Sequence, residues 1–207
     1  MGFSKISLAL LSVIALNSYV APATVNAKVV DKPATQAAQA VDITEEKIGD
    51  KTYQVSKVLV HVKPEHVWHI LTDYDNAPDI FPCLKKIKVV KDKGTSKLVN
   101  HQIKPSGVPT TFDYILEVKE VVNKLYEWHR VSGDFREVDG FWKLEPQNDG
   151  NSTLVTYASY VNGGIFLPAP LIKRQVRADI PGVMSALKLH AETSRQIAGN
   201  VNQVKGN

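Results

Sequence analysis

The spacing of apolar residues changes period once along this chain, and that change limits what it can fold into. Between about residues 52 and 161 the sequence runs in short β-branched or alternating stretches broken by turn signals such as Lys93-Gly94, Ser106-Gly107, Val122-Asn123 and Asp149-Gly150. After Pro168 the period becomes helical: Leu171, Ile172, Val176, Ile180, Val183, Met184, Leu187 and Ala191 recur at three or four residues. Extended segments are predicted at 52–62, 84–91, 96–104, 110–121, 124–132, 138–146 and 152–161. Most of their connections are short enough for hairpins, so the sheet is antiparallel. Pro64 opens a short helix over 64–72, and the proline-punctuated DNAPDIFP (75–82) has room for one further turn of helix. The last helix runs to about Ala198, with a kink expected at Pro181, which cannot bond the carbonyl of Arg177. The expected architecture is α+β: a curved antiparallel sheet of six to seven strands wrapped around one long C-terminal helix, with two short helices after the first strand.

One helix cannot fill the concave side of so wide a sheet, so a cavity is expected between them. The stretches VWHILTDYDNAPDIFP, FDYILEV, GDFREVDGFWKLEP and the LPAPL before the last helix resemble the START-like, helix-grip superfamily, also described as Bet v 1/START-like or SRPBCC. That superfamily includes polyketide cyclases and the coenzyme Q-binding COQ10-type domain. The resemblance covers about 53–195 and implies an apolar-ligand pocket between sheet and helix. Carriers and enzymes share the fold, so it does not decide between them.

Strand parity says which side chains face that pocket. Tyr126, Trp128 and Arg130 share one face of their strand, as do Gly140, Trp142 and Leu144 on the next. Phe112, Tyr114, Leu116 and Val118 share a third. With Tyr157 on the 152–161 strand and Val176, Ile180 and Met184 on the helix, these residues form an expected wall of large apolar groups with a few hydroxyls, the composition of a ligand site. Gly133 and Gly140 are expected where the sheet bends. Arg130 has two readings, a pocket-mouth contact to a carbonyl or head group, or an ion pair with Asp134 or Glu145.

The N-terminus adds a setting. Residues 1–27 place one lysine before an eleven-residue apolar run, Ile6 to Leu16, and end in Val25-Asn26-Ala27, the order of a secretory signal peptide. The run is shorter than the roughly 20 residues of a membrane-spanning helix. Residues 28–50, without aromatics, read as a flexible linker, and 51–200 as the ligand-binding domain. The expected location is secreted or periplasmic. Signal removal takes one lysine and no acid, so 25 basic residues become 24 against 21 acidic ones, too mild an excess for nucleic-acid binding. The single cysteine, Cys83, excludes an internal disulfide and reads as a small apolar side chain.

No cofactor or metal is expected. His66 and His69 lack a third ligand at recognisable spacing, and Asp73, Asp75 and Asp79 lack the glycine and glutamate of a calcium loop. GxSxG is absent. Lys85, Lys86 and Lys88, with Lys173, Arg174 and Arg177, are candidates for transient contact with an anionic membrane surface. The function expected is binding of a lipid or other hydrophobic molecule, quinone-like or acyl, by a carrier. The alternative is a cyclase or dehydratase in which Tyr114, Tyr157 or Arg130 polarises a carbonyl and Glu117 moves a proton, although parity sets Glu117 on the face opposite Tyr114.

Overall fold

The computed structural model describes residues 41–204. The expected signal peptide and most of the expected linker therefore lie outside the described residues. The chain forms β1 (Ile43–Ile48), β2 (Lys51–Val60), α1 (Pro64–Thr72), α2 (Ala77–Ile80), β3 (Leu84–Asp92), β4 (Lys97–Ile103), β5 (Phe112–Val121), β6 (Leu125–Gly133), β7 (Glu137–Gln147), β8 (Ser152–Asn162) and α3 (Ala169–Val204). The strands make one eight-stranded sheet in the order β1-β2-β8-β7-β6-β5-β4-β3, with every neighbouring pair antiparallel. β3 to β8 form a meander. α1 and α2 carry the chain from β2 to the far edge, where β3 begins.

The eighth strand is a correction to the sequence reading. Residues 43–48, assigned above to the linker, pair with β2 from Ile43↔Ser56 to Ile48↔Lys51. Only Ile43 in that strand is half-buried, so an edge strand reading ITEEKI shows almost no apolar alternation to announce it.

Sheet curvature has local causes. Val131 is an extra residue in β6, because Ile115 pairs with Ser132 while Leu116 pairs with Arg130. Gly133, two residues on, has φ +113°, and a Cβ there would collide with the backbone of Asp113 and Tyr114. Gly140 meets a different need. The indole of Trp128 lies over it, and a Cβ would run into that ring and into the carbonyl of Ala158.

α3 crosses the concave face and continues through Pro181. Its buried stripe is Ile180, Met184, Leu187 and Ala191, packed with Val60, Val99, Val118 and Val155 from the strands and Val67, Trp68, Ile70 and Leu71 from α1. Each large aliphatic side chain buried this way contributes roughly 1.5–3 kcal/mol. α1 also packs on β7 and β8, and α2 on β3 and α3, so the core closes fully only under the later part of α3. Leu171, counted above in the apolar stripe, is instead 61% exposed at the start of the helix.

Candidate functional site

Under the earlier turns of α3 the concave face is not filled. A cavity of about 220 Å³ remains, walled by Phe81, Cys83 and Leu84 after α2, by Ile87, His101 and Ile103 on β3 and β4, and by Tyr114 and Leu116 on β5. Tyr126 and Trp128 on β6, Val138 and Trp142 on β7, and Tyr157, Ser159 and Val161 on β8 complete the strand side. Val176, Asp179, Ile180 and Val183 form the helix side. The strand register explains the grouping: Tyr126 lies opposite Trp142, Trp142 opposite Tyr157, and His101 opposite Tyr114, so one pleat face supplies all of them.

The rings make a continuous wall. Trp142 and Tyr157 have centroids 4.4 Å apart, Trp128 and Tyr157 5.9 Å, and Phe81 leans on Trp142 at 6.4 Å. His101 stacks on Tyr114 at 5.7 Å with nearly parallel planes. Beside the Tyr126 hydroxyl lies a polar cluster. The Tyr74 hydroxyl donates to Glu120 at 3.0 Å and lies 3.3 Å from the Tyr126 hydroxyl, while Lys97 bonds both Glu120 oxygens at 2.8 Å.

Desolvation sets the protonation of the wall. Burial lowers His101 to about 4, against a weak opposing hydrogen bond to the Val99 carbonyl, so its imidazole is neutral at pH 7. Burial pushes the Tyr114, Tyr157 and Cys83 groups upward, so they too stay uncharged. Asp179 is the carboxylate on this wall, held by neutral donors: the Ser106 amide at 3.1 Å and the Gln175 side-chain amide at 3.0 Å.

Of the residues expected at a pocket, Tyr114, Leu116, Trp128, Trp142, Tyr157, Val176 and Ile180 line the cavity. Three others pack beside it. Leu144 and Met184 are enclosed in the core, and Phe112 stacks on Phe135 at 4.9 Å. Arg130 fits neither of its two readings. Its guanidinium donates to the carbonyls of Gly133 at 2.7 Å and Arg136 at 3.2 Å, tying down the β6–β7 hairpin, and its Nε has no partner. Asp134 instead accepts from the Asp113 amide, and Glu145 pairs with Lys143. Glu117 sits on the outer face, as parity requires. Hydrogen bonds from Lys93 and Ser96 hold its carboxyl down at about 2, which unsuits it for moving protons in the cavity.

Sequence reasoning missed His101, Asp179, Cys83 and Ser159. The strand parity of His101 and Ser159 was available, but a histidine or serine on an apolar face carries no signal by itself. Among the described residues no three His, Cys, Asp or Glu side chains converge on a metal-sized space, and His66 is bonded to Ser194 at 2.8 Å.

The cations proposed for a membrane surface divide into two groups. Lys85, Lys86, Lys88 and Arg174 are exposed. Lys173 pairs with Glu45 at 2.6 Å, and Arg177 bonds Gln54 at 2.9 Å and the Ile43 carbonyl at 3.3 Å, joining α3 to β1 and β2.

An antiparallel sheet gripping one long helix over a cavity is the START-like, helix-grip fold. Residues 60–188 match the sequence profile of the polyketide cyclase / dehydrase and lipid transport family, and the chain belongs to that family. Its fold is similar to that of the Zhui aromatase/cyclase of Streptomyces sp. R1128, at 16% identity and a TM-score of 0.62 over 71% of this chain and 97% of that one. A START superfamily protein of Mycobacterium smegmatis aligns at 18% identity and a TM-score of 0.60, over 68% and 97% of the two chains. The STAR-related lipid transfer protein of Xanthomonas axonopodis aligns at 16% identity and a TM-score of 0.60, over 75% and 96%. No curated protein matches the sequence.

Proposed function

We propose that this domain is a carrier that encloses a small hydrophobic molecule, quinone-like or acyl, between its concave sheet face and α3. The observation behind this reading is the cavity itself, apolar and aromatic on most sides, with a few polar groups, His101, Tyr157, Ser159 and the carboxylate of Asp179, in its wall. Its volume of about 220 Å³ lies below the roughly 300–1,000 Å³ usual for ligand sites. The carrier therefore takes a short chain or a single ring as it stands, or opens at α3 for a larger one. The exposed Ile165 and Leu171 (84% and 61%) flank the start of α3 near the exposed Arg174, an apolar and cationic pairing suited to brief docking on anionic lipid. With the 1–27 leader read as a signal peptide, the carrier works outside the cytoplasm, secreted or in a periplasm.

A cyclase or dehydratase is the second reading. It is favoured by one observation, the neutral His101 stacked against Tyr114 inside the cavity, where both groups can hydrogen-bond a carbonyl. Titration of the mature protein with a short-chain benzoquinone tests the carrier. Saturable quenching of tryptophan fluorescence, with the quinone recovered unchanged, is expected. Absence of quenching, or chemical conversion of the bound molecule, overturns it.

A further inference from the structure

We propose that the cavity selects an uncharged ligand, its carbonyl or hydroxyl set against Tyr114 and Tyr157, and that Asp179 turns carboxylates away. This rests on the ligand-binding reading above and narrows its chemical class.

The argument is one of charge. No lysine or arginine lines the cavity. Arg130, on the same strand face, is held by the hairpin carbonyls of Gly133 and Arg136, and Arg177 is turned toward Gln54 and Ile43. His101 is neutral at physiological pH because burial opposes its protonation. An anionic head group entering this space would lose its water and find no cation.

It would find instead the carboxylate of Asp179. None of the ion pairs among the described residues includes Asp179; its partners are neutral, the amides of Ser106 and Gln175 and the thiol of Cys83. Asp179 lines the cavity with Cys83 and Tyr157, and beside burial its charge helps to push the Cys83 thiol up. Like charges at short range in a poorly hydrated space repel strongly, so the wall discriminates by sign as well as by polarity.

A neutral polar end meets better partners. Tyr114 is 7% exposed, and its hydroxyl makes no hydrogen bond among the described residues, yet it is not an enclosed orphan, because it borders the cavity. Tyr157 and Ser159 stand on the adjoining part of the wall. Hydroxyls and a neutral imidazole offer both donors and acceptors, which suits an alcohol, ester, ketone or quinone carbonyl.

Three probes of one chain length test this by calorimetry at pH 7.5: 1-octanol, methyl octanoate and sodium octanoate. The wild-type protein is expected to bind octanol and the ester at least tenfold tighter than octanoate. Asp179→Asn, which keeps the size and one acceptor, is expected to raise octanoate affinity severalfold relative to octanol. Tyr114→Phe is expected to weaken octanol severalfold. Octanoate binding as tightly as the ester in the wild type overturns the proposal, and so does an Asp179→Asn protein with an unchanged octanoate-to-octanol ratio. Should that variant not fold, the ester-to-acid ratio of the wild type still decides. If none of the three probes binds, the ligand-binding reading itself fails.

Discussion

The two faces of the sheet both carry aromatic rings and polar groups, and they treat charge in opposite ways. On the outer face Tyr53 and Tyr160 pack 5.8 Å apart beside Lys51, whose ammonium pairs with Asp139 at 2.6 Å and Glu137 at 2.9 Å. Glu117 there is ringed by Lys93 and His129 at 2.7 and 3.1 Å. On the inner face the cavity wall holds no lysine or arginine, and its histidine is neutral. The outer face also has the larger hollow, a depression of about 990 Å³ bordered by Tyr53, Leu125, Glu127, Asp139, Phe141 and Lys143. Its lining carries charges of both signs, with Asp139 paired to Lys51 and Lys143 to Glu145. The difference teaches that volume alone does not mark a ligand site. An apolar, aromatic wall with a few polar groups, set between the sheet and α3, is the better sign.

That contrast is broken most easily at the rings. Trp142→Ala removes a 7% exposed side chain in contact with Tyr157 and Phe81, at an expected cost of about 3–5 kcal/mol in denaturant unfolding. Phe141→Ala, its neighbour on the outer face, is expected to cost about 1 kcal/mol or less. Equal losses would mean that the two faces are not packed differently.

A smaller effect comes from His101. Its folded-state value near 4 lies below the ordinary 6.5, so the unfolded chain takes up this proton first as pH falls. Stability is therefore lost between about pH 6.5 and 4 and levels off below, by up to about 3 kcal/mol from this group. In His101→Gln that part of the slope disappears. Stability curves for the two proteins that run parallel through this range would show the imidazole to be hydrated.

Glu117 supplies the smallest effect and the opposite sense. Its carboxyl is held near 2 by Lys93 and Ser96, so its stabilisation is present above the ordinary glutamate range near 4.5 and is lost as pH falls toward 2. Glu117→Gln is expected to lower Tm by about 1–3 °C at pH 7, since exposed pairs contribute little, and by nothing near pH 2. A Tm difference that persists at pH 2 would assign the effect to packing.

Much of this was legible in the sequence because turns and parity are local. All seven expected strands begin and end within two residues of those found, and α1 spans 64–72 as read. Period-two alternation put Trp128, Trp142 and Tyr114 on the inner face and Glu117 on the outer one, as the register requires. What failed depended on distance or reach. β1 is recognised by its pairing with β2, since its own residues are mostly exposed. Parity placed Arg130 correctly, but so long a side chain turns back to the hairpin carbonyls three and six residues away. Cys83, His101 and Asp179 come from separate parts of the chain, and no spacing rule joins them.

The central claim, that the inner cavity under α3 and not the larger outer hollow takes the ligand, is tested most directly by photo-crosslinking. The mature protein is irradiated with a diazirine-bearing octyl alcohol and the adducts are mapped by peptide mass spectrometry. Adducts are expected on Trp142, Tyr157, Val176 and Ile180, and excess 1-octanol should suppress them. Adducts concentrated on Tyr53, Leu125, Phe141 and Lys143 would contradict the account.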